Sequence, residues 1–249
     1  MKITSGHLIK ALGVYSFCVV GLISFLILAS DDADVHQKAI IKMALGLILL
    51  WVVIGGTLMY RFREPVGRRV RNIPLNWKAK FVVFATILAL LEEAVTVTMT
   101  NMAPVFGSQI GKAFITASAN YLHTVLFHSV IVFIPMFVAW AFLLGWYNFN
   151  PKQVFLLFGL VGSLAEMSMQ PTNILGGFWF FVYGLMVFLP AYSIPPAELR
   201  GARTPKLRHY VLAVVLPLVS PATLLPIAPL LRYLYDLMDP VFFVKSPFG

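Results

Sequence analysis

Residues 79–99 read AKFVVFATILALLEEAVTVTM. This is a run of 21 residues, long enough to cross the roughly 30 Å hydrocarbon core of a bilayer as a helix. It carries two adjacent carboxylates, Glu92 and Glu93, where lipid would surround it. The stretch decides the fold class, because the rest of the chain is built the same way. Of 249 residues, 59% are hydrophobic and 12% charged, against about 25% charged in soluble domains. Mean hydropathy is +0.85. The expectation is a single all-α domain over 1–249, a polytopic bundle embedded in a membrane.

Seven apolar segments suit spans: 11–29, 40–60, 79–99, 122–145, 153–170, 174–192 and 210–230. Only Gln170-Pro171-Thr172-Asn173 separates the fifth from the sixth. Lys2 and Lys10 before the first segment imitate a signal peptide. The apolar run is long for one, and Ile27-Leu28-Ala29 fits a small-x-small cleavage site poorly, so it is read as a retained span. The single cysteine, Cys18, excludes an intramolecular disulfide.

The net charge of +9 follows from topology. With the N-terminus cytoplasmic, the inner side receives Lys2, Lys10, Lys152, seven basic residues of a loop at 61–80 and four more in 191–209. The outer side receives Lys38, Lys42, Lys112, Arg232 and Lys245, with the acidic stretch 30–39. This satisfies the positive-inside rule and predicts a multi-pass protein of the plasma (cytoplasmic) membrane. The expected partners are the bilayer itself and anionic inner-leaflet lipid at loop 61–80, with no nucleic acid. Residues 100–121, TNMAPVFGSQIGKAFITASANY, are too polar and interrupted for a lipid-facing span. They read as an outer loop or a re-entrant segment packed on protein. The tail 231–249 reads as interfacial, with Tyr and Phe suited to the headgroup level.

The polar residues inside the spans form the candidate site. Glu93 falls roughly 10 Å from the outer end of its span, His128 roughly 9 Å and Glu166 roughly 8 Å, at 1.5 Å per residue. Three consecutive helices therefore carry ionisable groups at one depth, and consecutive helices are usually neighbours. Glu92, Thr96 and Thr100 share a helical face, with Glu93 about 100° away. Thr124 and His128 share a stripe with Tyr121, while Asn120 and His123 lie on another. His123 and His128, five apart, point about 140° from each other on a continuous helix and would not share an ion. Glu166 and Gln170 face alike, and Gly162 and Ser163 permit close helix approach. Glu92, Glu93, His128 and Glu166 are the expected functional residues, supported by Thr96, Asn120, His123, Thr124 and Gln170. His7, His36 and His209 read as loop or interface residues. Apart from Lys80 at the inner end of 79–99, no lysine or arginine lies in these three spans, so clustered carboxyl groups would have to share protons, the arrangement used for acid–base chemistry and proton relays.

A Glu-Glu pair in one span, a histidine in the next and polar residues in a later one resemble the glutamate-type intramembrane proteases of the CAAX-protease and bacteriocin-processing group. The resemblance implies that Glu92 or Glu93 activates a water, that His128 binds the water or the oxyanion, and that peptide bonds are cleaved near the membrane without a bound metal. The chain departs from that pattern at three places. Val97 stands where the family has arginine, Thr124 and Ala119 precede the two histidines where it has phenylalanine, and Glu166 with Gln170 replaces its histidine–asparagine pair. Other readings use the same residues. One is a proton-coupled transporter or channel. Another is a metal-dependent enzyme holding a divalent ion on Glu93, His128 and Glu166; no cofactor is otherwise expected. A third is a non-catalytic assembly subunit, in which buried polar residues only join helices. Retinal chemistry is excluded by the last span, YVLAVVLPLVSPATLLPIAPLL, which has no lysine.

Overall fold

The computed structural model describes residues 4–169 and 176–242, and these are all-helical. Helix α1 (Ser5–Ala29) starts at a Thr4 cap whose side chain takes the His7 amide. Helix α2 (Val35–Leu47) starts at Asp34 in a capping box with Gln37. It runs through a π-helical stretch, Ile48–Gly55, into α3 (Gly56–Arg71) without a break. Trp51 pins that stretch by donating from Nε1 to the Val182 carbonyl at 3.0 Å. Helix α4 (Trp77–Asn101) follows a short turn. Next come α5 (Tyr121–Phe127), α6 (Val130–Trp146), α7 (Pro151–Met169), α8 (Trp179–Tyr192), the single turn α9 (Ala197–Arg200) and α10 (Leu207–Val219). A 3-10 stretch, Ser220–Ile227, leads into α11 (Ala228–Phe242).

Among the described residues, four helices are long and apolar enough to cross a membrane: Ser5–Ala29, Val35–Arg71, Trp77–Asn101 and Leu207–Leu237. A fifth is obtained if α5 and α6, bent by 44°, count as one. Two expectations are corrected. Residues 61–71 are the helical end of α3 rather than loop, in keeping with the helix preference of arginine. The fourth segment is interrupted at His128-Ser129. There the Ser129 amide reaches back five residues to the Thr124 carbonyl at 2.9 Å, alongside the His128 amide at 3.0 Å. A widened turn of this kind bends a helix. Thr98, on the exposed side of α4, bonds its own helix at Ala94.

Helix α4 is central, packed by α2, α5, α6 and α8. The core around it holds Phe81, Ala85, Ala89, Phe137, Trp140, Phe158 and Met186. The most extensive helix pair is α7 with α8. Gly159 and Gly162 of α7 face Phe180 and Tyr183 of α8, while Gly184 of α8 faces Phe155 of α7. The ring of Tyr183 occupies the place a Gly162 side chain would take, the small-residue approach expected from the sequence. On the outside, α1 exposes Val14, Phe17, Leu22 and Phe25, an apolar face suited to lipid.

The two ends of the bundle differ. Arg71 donates to the Tyr192 carbonyl, Arg200 to the carbonyls of Leu144 and Pro195, and Lys78 lies against Gly145. Lys152 sits beside Gly6 at the start of α1. The basic segments 61–80 and 193–209 and the start of α1 therefore share one end.

Gly162→Leu should destabilise the fold by about 1–3 kcal/mol through overpacking against Tyr183. Gly21, with nothing near its α-carbon, should tolerate leucine. Thermal unfolding of both variants in detergent measures the difference.

Candidate functional site

Helix α4 supplies the centre. Glu92 and Glu93 are 5% and 4% exposed. Adjacent residues point about 100° apart on a helix, so both can be buried only where the helix is covered on two sides, as α4 is. Glu92 lies within electrostatic reach of Tyr183 on α8, of Glu166 on α7 and of Glu93. Its Oε1 accepts from Thr96 Oγ1 at 2.8 Å, one turn along the same face. Glu93 faces the connection from α4 to α5 and the bend before α6. Its Oε1 accepts from Thr116 Oγ1 at 2.8 Å, and the Ser129 hydroxyl is within hydrogen-bonding reach.

Glu166 arrives from α7 and accepts a hydrogen bond from the Tyr183 hydroxyl of α8. Tyr183 is buried and senses the charges of all three glutamates. The result is a cluster of Glu92, Glu93, Glu166 and Tyr183 built on three helices. Among the described residues, the partners of Glu92 and Glu93 are hydroxyls and carboxyl groups, and none is a lysine or arginine.

The segment after α4 closes over this cluster. It begins with a 3-10 turn, Ala103–Phe106, and reverses at Gly107 and Gly111, whose φ angles of 92° and 82° suit glycine. His36 of α2 holds it through Ser108 at 2.7 Å. Asn101 Nδ2 holds it at the Ala119 carbonyl, 2.8 Å away, and Ala113 is buried beneath it. The Ile115 amide donates to Thr100 Oγ1 at 3.4 Å. The segment is thus held against the helices by hydrogen bonds at Ser108, Ile115, Thr116 and Ala119.

The remaining expected residues divide. Thr96 belongs to the cluster. Asn120 is the N-cap of α5, its Oδ1 taking the His123 amide at 3.1 Å, and Thr124 bonds the carbonyls of Ser118 and Asn120. Both hold local backbone. His128 is exposed, and its ring contacts are with His123 and Tyr235. The expected separation of the two histidines does not occur, since the break at His128-Ser129 turns their rings to a centroid distance of 4.9 Å. His123 is buried and also meets Phe127 and Tyr235 of α11. Gln170 lies outside the described residues. Among the described residues, no three His, Cys, Asp or Glu side chains are grouped to hold a metal ion; this includes Glu93, His128 and Glu166.

Sequence reasoning missed Thr116, Ser129 and Tyr183. Tyr183 had a signal, being a polar atom within an apolar run opposite the glycines of α7. Thr116 and Ser129 had none, because hydroxyls are common in connections. No protein-family model matches the chain, and no curated protein or solved structure does so. The site itself therefore carries the functional argument.

Thr116→Val should leave Glu93 short of a donor and loosen the closing segment by about 1–3 kcal/mol. Amide hydrogen exchange across 107–120 should rise about tenfold for each 1.4 kcal/mol lost, while exchange in the middle of α4 stays unchanged.

Proposed function

We propose that this chain is a seven-span protein of the plasma membrane, with its N-terminus cytoplasmic, whose Glu92–Glu93–Glu166–Tyr183 cluster takes up and passes on protons, as in a proton-coupled transporter or relay. The observation that carries the reading is the convergence of three carboxyl groups at α4 and α7 with only hydroxyl and carboxyl partners around Glu92 and Glu93. Buried carboxyl groups within electrostatic reach of one another resist being ionised together in a low-dielectric interior. They hold protons between them, and a protonated acid beside an ionised one is the unit of a relay. Tyr183 donates to Glu166 and lies within electrostatic reach of the pair on α4, with a hydroxyl that can both donate and accept.

The orientation is supported by the shared basic end. The start of α1 lies with Lys152, the end of α3 and residues 193–209, which suits an anionic inner leaflet. An intramembrane hydrolase would require His128 beside Glu93, whereas its ring stands against His123 and Tyr235.

In proteoliposomes with an internal pH dye, Glu92→Gln and Glu166→Gln should each lower potential-driven proton flux about tenfold, or ~1.4 kcal/mol in the barrier. Tyr183→Phe should lower it less. Infrared difference spectra should show a protonated carboxyl band that Glu92→Gln removes. Flux unchanged in both glutamine variants would overturn the proposal. So would stoichiometric metal lost in Glu93→Gln and His128→Ala, or peptide cleavage dependent on His128.

A further inference from the structure

A second feature lies at the basic end, away from the carboxyl cluster. Helix α6 presents Ile134, Val138, Phe142 and Trp146 along one side, spaced by four, with Pro135 and Ala139 beside them. Facing them are Leu216, Ser220 and Thr223 at the end of α10 and the start of the 3-10 stretch. Between these elements runs an open apolar groove of about 430 Å³. From Ile134 to Trp146 it spans roughly 18 Å at 1.5 Å per residue, close to half of the roughly 30 Å hydrocarbon thickness. It therefore has the length of one leaflet.

Trp146 also lines a second cleft, of about 470 Å³, with Gly145, Tyr147, Gly201 and Arg203. That cleft has a defined construction. The Arg203 amide donates to the Trp146 carbonyl at 2.9 Å, and the Asn148 amide to the Arg203 carbonyl at 2.8 Å. Gly201, at φ 65°, turns the chain there with open space around it. Two cations border the junction of cleft and groove. Arg203 is exposed in the cleft. The Lys78 ammonium lies 4.7 Å from the centroid of Phe142 and touches Gly145. Arg200, by contrast, is occupied with the carbonyls of Leu144 and Pro195.

We infer that cleft and groove together form a binding site for one anionic phospholipid. Its phosphate sits between Arg203 and Lys78, and an acyl chain lies along α6 toward Ile134. The occupant follows from the joined chemistry. A cationic cleft selects an anionic headgroup. The apolar groove that opens from it at Trp146, a residue suited to the headgroup level, selects a chain continuous with that headgroup. The inference rests on the membrane reading and is independent of proton transfer at the glutamates.

The test is retention of lipid by the purified protein from micelles holding equal phosphatidylglycerol and phosphatidylcholine. Wild type should retain phosphatidylglycerol about tenfold over phosphatidylcholine, which has the same phosphate but whose choline ammonium the two cations repel. Arg203→Gln and Lys78→Gln should bring the ratio toward one. Thr223→Phe, which fills the groove from an exposed position, should reduce retention of both lipids. Equal retention by wild type, or a preference unchanged in the Arg203→Gln, Lys78→Gln double variant, would overturn the assignment. Displacement of phosphatidylglycerol by inorganic phosphate, with Thr223→Phe without effect, would reveal an anion site only and also overturn it. Proton flux measured on the same preparations separates the two proposals, since lost lipid preference with flux intact defeats this one alone.

Discussion

The ring of Tyr183 lies in the space that a side chain at Gly162 would fill, and the arrangement of the polar centre depends on that contact. Glycine at 162, with Gly159 and Gly184, lets α7 and α8 approach until backbone and ring atoms touch. The approach places the Tyr183 hydroxyl at Glu166, one turn above Gly162 on α7. It also brings Glu166 within electrostatic reach of Glu92 on α4. A bulkier residue at 162 would hold the helices apart, and the third carboxyl group would leave the cluster.

The pair on α4 imposes a second constraint. Two adjacent carboxylates cannot be turned to one side of a helix, so protein must cover α4 on both. Helix α8 takes the Glu92 side, with Glu166 of α7 within electrostatic reach, while the bend before α6 and the segment 107–120 take the Glu93 side. Each acid finds a hydroxyl there, Thr96 for Glu92 and Thr116 for Glu93. Satisfying buried acceptors with neutral donors leaves their negative charge uncompensated. That is the physical reason for reading the cluster as a place where protons reside.

The opposite end of the bundle solves a different problem. Its cations are distributed between fixed structural duties, such as Arg200 on the end of α6 and on the turn before α9 and Arg71 on the end of α8, and open positions such as Arg203. Cations at helix C-termini satisfy terminal carbonyls and favour the helix dipole. Positive charge at this end therefore serves both folding and contact with the membrane surface.

Composition and apolar run length determined by themselves that the chain is helical and built of segments fit for a membrane, because a bilayer leaves the backbone no other partner than its own helix. The shared face of Glu92 and Thr96 was legible as well, since residues four apart lie one above the other on a helix. Only the tertiary structure decided which side chains meet. Tyr183 entered through a contact between helices that no periodicity encodes, and Thr116 through a connection that folds back over α4. His128 left the glutamates because the chain departs from α-helical geometry at His128-Ser129. An angular argument along the sequence assumes an unbroken helix, and a single widened turn is enough to redirect a ring.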